Sequence, residues 1–209
     1  SGFTIGCSIL PDNTIKQNDS LAVYIKEDGL YYSYLDGKDE TKIHDGNSFE
    51  YPLISSAGNY IAYTKEDSLY IYNVKDKSYE KIDDEIHHYY RAYDWIDDET
   101  IIYGSYNKPG FTLLNVVSRE KTKNLDDYYY TGLMASKNNI VYGTKYNRWT
   151  TEEGDFISND GIVEINLNNY DKNKEQFSTN IIVEGRKSTD EMIGYDPIVW
   201  DISDDGRYI

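Results

Sequence analysis

The sequence predicts an all-β chain of small four-stranded antiparallel sheets, and three observations carry that expectation. The apolar content is of the kind that suits pleated surfaces: 23 Tyr, 5 Phe, 3 Trp and 23 Ile stand against only 5 Ala, a mix rich in strand formers and poor in helix formers. A motif recurs along the 209 residues at near-constant spacing. Within each copy, short alternating runs are separated by turns of Gly, Asp, Asn and Ser.

The repeat is explicit. Tyr24-Ile25-Lys26-Glu27-Asp28-Gly29-Leu30-Tyr31 returns 39 residues later as Tyr63-Thr64-Lys65-Glu66-Asp67-Ser68-Leu69-Tyr70. A third copy carries Asp97-Asp98-Glu99-Thr100-Ile101-Ile102-Tyr103, a fourth Lys137-Asn138-Asn139-Ile140-Val141-Tyr142, and a fifth begins at Ser203-Asp204-Asp205-Gly206-Arg207-Tyr208-Ile209. The second copy reads as strands at 51–55, 60–64, 69–74 and 79–82, with turns at Ser56–Asn59, Lys65–Asp67 and Lys75–Ser78. Four short antiparallel strands in about 40 residues make one blade of a β-propeller, whose faces are buried only when copies stack. The expected organisation is an N-terminal tether and first-strand region at 1–19, then blades at 20–46, 49–85, 86–126 and 128–185 and a partial blade at 186–209. About four blades plus the start of a fifth suit a segment of a larger propeller, since an open arc leaves blade edges unpaired.

The run Ser55 to Ile82, with Tyr60-Ile61-Ala62-Tyr63, a polar turn and Leu69-Tyr70-Ile71-Tyr72-Asn73, resembles the WD-like repeats of TolB-type propellers, as does Asp201 to Ile209. The resemblance covers the chain from Leu21 onward and is weakest in the fourth copy, which lacks a glycine at its first turn and carries an insertion. It implies the propeller fold, with a ligand face made of the loops between second and third strands and the entry loops of first strands. It implies no particular activity, because propellers host many.

Charge narrows the partners. With 37 acidic and 21 basic residues, a net charge of −16 and only five Arg, the chain lacks the clustered cations that neutralise nucleic-acid phosphates. Anionic lipid surfaces are excluded on the same ground, and no apolar run reaches the length of a spanning helix. The single cysteine forms no intrachain disulfide. Cys7 follows Phe3-Thr4-Ile5-Gly6 and precedes a polar stretch, which resembles the cleavage site of bacterial lipoproteins and departs from it at Thr4, where an aliphatic residue is usual. That resemblance implies an acylated Cys7 and an extracytoplasmic, membrane-anchored location; the alternative is a small apolar residue near a chain end.

The clearest irregularity lies in the fourth copy. Second and third strands are separated by six positions from Tyr63 to Leu69 and eight from Tyr103 to Phe111, but by twenty from Tyr142 to Ile162. The insertion, Lys145 to Ser158, holds Tyr146, Arg148, Trp149, Glu152 and Glu153, an aromatic anchor with both charge signs. Long loops in small domains are often functional; the alternative is a hairpin extension. These five residues are the candidate ligand-binding set.

Other constellations read as structural. Tyr93-Asp94-Trp95 followed by Asp97-Asp98-Glu99 resembles the amine-binding acidic cluster of dipeptidyl-peptidase-like propellers, but the repeat places the acids in a tight turn, where Asp bonds locally. His87 and His88 beside Asp83, Asp84 and Glu85 point to opposite faces of a regular strand and so do not chelate one ion. Asp171 to Glu175 lacks the glycine and closing glutamate of a calcium loop. No Gly-x-Ser-x-Gly elbow is present, and Asp94, Asp196 and Asp201 are the only carboxylates placed for channel chemistry.

The expected function is non-enzymatic: an extracytoplasmic propeller that binds a protein, peptide or glycan through its loop face, with no catalytic residue, cofactor or metal, no nucleic acid, and membrane contact only through an acylated Cys7. The rival expectation is the gating propeller of a larger prolyl-oligopeptidase-like serine hydrolase.

Overall fold

The computed structural model describes residues 20–86, 91–151 and 154–185. The expected tether with Cys7 and the expected fifth copy lie outside them. The described residues form fifteen strands and one short 3-10 turn, Lys137–Asn139. The strands make four antiparallel sheets, each a meander of consecutive strands. By packing, the described chain divides into two units: residues 20–86 with 97–99, and residues 91–96 with 100–151 and 154–185.

In the first unit, β1 (Leu21–Lys26), β2 (Gly29–Tyr34) and β3 (Thr41–Asp45) form one sheet, and β4 (Phe49–Ile54), β5 (Tyr60–Lys65), β6 (Ser68–Asn73) and β7 (Ser78–Asp83) the other. The first sheet therefore has three strands among the described residues, where four are expected. The sequence repeat is a repeat of register: Tyr24 lies opposite Tyr31 and, 39 residues on, Tyr63 lies opposite Tyr70. The far end of each hairpin is closed by the same bond, Leu35 N–H to Ser20 O at 2.8 Å and Val74 N–H to Asn59 O at 3.0 Å. Glu66 and Asp67 both take positive φ, the two-residue turn whose twist matches that of the strands it joins.

Apolar side chains of both sheets form the core of this unit. Val23, Leu30, Tyr32 and Ile43 pack with Phe49, Ile61, Tyr63 and Tyr72, and each large side chain so buried contributes about 1.5–3 kcal/mol. The turn before β5 is held by polar bonds. Gly58, at φ +79°, donates its N–H to Ser55 O at 2.9 Å, a left-handed conformation that glycine adopts without a steric cost. Asp98 secures the same turn, accepting from Ser55 Oγ (2.6 Å), Ala57 N–H (2.8 Å) and Asn59 Nδ2 (2.5 Å).

The second unit contains β8 (Tyr93–Trp95), β9 (Thr100–Gly104), β10 (Phe111–Asn115) and β11 (Lys121–Asn124), then β12 (Tyr129–Ser136), β13 (Ile140–Thr151), β14 (Gly154–Asp171) and β15 (Gln176–Glu184). Ile102 and Phe111 of the former sheet pack with Tyr130, Leu133, Val141, Val163, Ile165 and Phe177 of the latter. The sheets approach closely enough that a Cβ on Gly104 would lie 2.5 Å from the carbonyl oxygen of Tyr130. Asn124, fully buried, ties them: its Oδ1 accepts from Phe177 N–H at 2.7 Å and its Nδ2 donates to Asp126 at 3.0 Å. Asp126 also accepts from the Tyr130 hydroxyl at 2.5 Å.

Replacing Asn124 by Ala leaves the Phe177 N–H buried without a partner, which costs about 1–3 kcal/mol. Urea unfolding of N124A should show the free energy of unfolding falling by that amount, read as a lower midpoint with the slope unchanged; a midpoint equal to that of the parent protein would show that the tie contributes nothing.

Candidate functional site

The insertion of the fourth copy is not an irregular loop. Pairing between β13 and β14 runs from Ile140 opposite Asn166 to Thr151 opposite Gly154, with one irregularity at Lys145/Tyr146. Their neighbours stop short: β12 ends its pairing at Tyr129 opposite Tyr146, and β15 at Glu184 opposite Gly161. Residues 147–151 and 154–158 therefore leave the four-stranded sheet as a two-stranded ribbon. Trp149, Thr150 and Thr151 precede Glu152-Glu153-Gly154-Asp155, and Phe156 and Ile157 follow it, strand formers that favour this extension over open loop.

At the ribbon's base the side chains are fixed. Tyr146 is buried and stacks on Tyr129, with ring centroids 5.5 Å apart. The Lys145 ammonium lies 3.6 Å from the centre of the Tyr128 ring, a cation–π contact. Of the other candidate residues, Arg148 and Trp149 sit in the ribbon opposite Ile157 and Phe156, while Glu152, Glu153 and Cys7 lie outside the described residues. The structure thus places Tyr146, Arg148 and Trp149 on one strand, with Tyr146 at its foot.

The acidic stretch after Asp94-Trp95 is engaged in backbone bonds. Asp94 is mostly buried and accepts from Ala135 N–H (2.8 Å) and Trp95 N–H (2.9 Å), with Arg91 Nη2 at 3.3 Å. Asp97 accepts from Glu99 N–H at 2.8 Å, the local turn bond expected of it. Asp171 accepts from Asn173 N–H at 2.9 Å in the turn before β15. No group of three or more His, Cys, Asp or Glu among the described residues is placed to hold a metal ion. Asp196, Asp201, His87 and His88 lie outside the described residues. No helix among the described residues is long and apolar enough to cross a membrane.

One titratable group escaped sequence reasoning. His44, on the outermost strand of the first sheet, stacks on Tyr79 at 4.1 Å between centroids and meets Phe49, Tyr63 and Tyr70 edge-on or tilted. Its Nδ1 lies 2.9 Å from the Tyr63 hydroxyl. Burial, with the Lys65 charge adding to it, lowers the His44 pKa below its usual value; burial likewise raises that of Tyr63. The available signal was positional: 39 residues on, the repeat carries Asp83 where this copy carries His44.

No family model matches the chain, and no curated protein matches it either. Among solved structures it is similar to a chain of the S. cerevisiae assembly of Dbp5 bound to Nup159, Gle1, IP6 and ADP, at 12% identity and TM-score 0.47, over 72% of this chain and 43% of that one. It is also similar to the N-terminal domain of Nup159, at 9% identity and TM-score 0.47, over 73% of this chain and 43% of the other. TolB from Acinetobacter baumannii matches at 12% identity and TM-score 0.36, over 86% of this chain and 58% of its own. The chain spans less than half the length of the first two.

The aromatic surroundings of His44 make stability depend on pH. Because its pKa is lower folded than unfolded, the unfolded chain takes up the proton first as pH falls below about 6.5. The stability His44 contributes is full above that pH and is lost as pH falls toward the folded value. Urea unfolding at pH values above and below this window should show His44→Phe losing less stability on acidification than the parent protein; equal losses would mean that His44 titrates alike in both states.

Proposed function

We propose that this chain is a segment of a β-propeller that acts as a non-enzymatic binding module outside the cytoplasm, engaging a protein, peptide or glycan through the face that carries the inserted ribbon. Four meander sheets at a spacing of about 40 residues support the propeller reading. The observation that carries the binding reading is the ribbon itself. A two-stranded hairpin is marginally stable in water when unsupported, and this one leaves its sheet with strand-forming residues on both arms. Arg148, Trp149, Glu152 and Glu153 are the contact residues of the proposal, with Tyr146 fixing the foot of the strand. Asp94, held by two backbone N–H groups and Arg91, is a structural carboxylate in this reading. Cys7 is the proposed acylation site and the means of membrane attachment.

The test is a ribbon deletion: residues 147–158 are replaced by Asn-Gly, joining the shortened β13 and β14 through a two-residue turn. Retention of solubilised cell-envelope protein and glycan fractions on the immobilised chain is measured for both proteins. Saturable retention by the parent, falling at least about tenfold in the deletion while the melting temperature holds, is expected, because a few central residues carry most interface energy. Retention unchanged by the deletion would refute the ribbon as the binding element.

A further inference from the structure

Among the described residues two buried side-chain polar atoms have no hydrogen-bond partner, Arg91 Nε and Thr131 Oγ1. A donor on a charged group costs more to leave unpaired than a hydroxyl, so Arg91 is the one that calls for an explanation. A guanidinium carries five donors in a planar fork. Arg91 Nη2 lies 3.3 Å from Asp94 Oδ2, longer than the ~2.7–2.9 Å of a charge-assisted bond. That oxygen also accepts from Ala135 N–H at 2.8 Å, and Oδ1 accepts from Trp95 N–H at 2.9 Å. Asp94 is therefore oriented by the backbone and holds Arg91 by one side of its fork. The Arg91 side chain is 23% exposed, so part of it faces solvent.

Arg91 stands at the end of its unit from which the ribbon leaves. It precedes Ala92, whose carbonyl accepts from Gly104 N–H at 2.8 Å, and Gly104 pairs with Phe111. Gly110 in turn bridges to Tyr129, which pairs with Tyr146 at the ribbon's foot. We propose that Arg91 is a ligand-binding residue that takes a carboxylate of a bound peptide, fork to fork. The inference rests on the reading of the ribbon end as the binding face and names the group recognised there. On binding, the guanidinium exchanges its long contact with Asp94 for two short, parallel bonds to the carboxylate. Asp94 keeps its bonds to the N–H groups of Ala135 and Trp95, so the tie between β8 and β12 survives the exchange. The partner is a peptide rather than a glycan because the ribbon runs past β12 and β15, and strand backbone that extends beyond its neighbours pairs with an extended peptide. The carboxylate is the peptide's C-terminus or an acidic side chain, which present the same two oxygens.

Nitrogen-15 NMR of the full 209-residue chain at fixed ionic strength tests this, reading the Arg91 Nε–H and the backbone amides of Trp95 and Ala135. The probes are sodium acetate, N-acetyl-Gly-Gly-Ala with a free C-terminus, the same tripeptide amidated, amidated N-acetyl-Gly-Glu-Ala, and trigalacturonate. Saturable shifts are expected with acetate, at lower concentration with one of the two acidic peptides, and not with amidated Gly-Gly-Ala; which acidic peptide binds identifies the source of the carboxylate. Arg91→Lys keeps the charge without the planar fork and Arg91→Gln removes the charge, so each should weaken peptide binding at least about tenfold. Melting temperatures report whether both variants fold. No saturable shift with acetate to about 200 mM or with either acidic peptide to about 10 mM overturns the proposal. So does R91K or R91Q binding as tightly as the parent, or trigalacturonate binding more tightly than both acidic peptides. If ribbon deletion abolishes retention of envelope fractions while Arg91 answers no carboxylate, this inference fails and the ribbon reading stands. Retention unchanged by the deletion while Arg91 still answers carboxylates would sink the ribbon reading alone.

Discussion

The inner strands of these sheets are buried on both faces, and most of the structure follows from that constraint. In β5 the consecutive residues Ile61, Ala62 and Tyr63 are all fully buried, and in β9 so are Ile101 and Ile102, with Tyr103 nearly so. Successive strand residues point to opposite sides, so such a run needs cover above and below. Within each unit the other sheet supplies cover on one side, as the shared cores show, and the described residues offer no helix longer than one 3-10 turn that could do so. Tyrosine suits it because a broad ring fills the space between sheets while its hydroxyl reaches a polar partner: Tyr63 with His44, Tyr130 with Asp126, Tyr31 with Asp28.

Apolar stacking has little direction of its own, and polar ties between separate segments supply it. Within the second unit, Asn124 accepts the N–H of Phe177 and Asp94 that of Ala135; within the first, Asp98 accepts that of Ala57. Each tie joins a side chain to a backbone N–H of another segment. Sliding one against the other by a residue would strand a donor and an acceptor together. This explains why Asp94 and Asp98, which invite a binding or catalytic reading in the sequence, are already engaged in the fold.

The two departures from the repeat both concern β14 and its neighbours. The insertion lengthens β13 and β14 together, because strand-forming residues flank a central turn sequence, so an apparent loop becomes a ribbon. Next to it, β15 is the longest of the outermost strands and has no lysine.

The sequence by itself determined the all-β class, the 39-residue spacing and the positions of the second copy's strands. Read as 51–55, 60–64, 69–74 and 79–82, those strands occur at Phe49–Ile54, Tyr60–Lys65, Ser68–Asn73 and Ser78–Asp83. Local rules suffice there: period-two alternation and turn residues act over a few neighbours. Tertiary structure alone decided what each polar side chain meets, because those partners lie far apart in sequence. Asp98 reaches a turn 39 to 43 residues before it, and Asn124 meets Phe177 across 53. The aromatic setting of His44 is of the same kind, built from Phe49, Tyr63, Tyr70 and Tyr79, which converge only when two sheets stack. Twenty residues between two strands are likewise compatible with a loop or a ribbon. Only pairing across the insertion, set by how many cross-strand bonds form there, selects the ribbon.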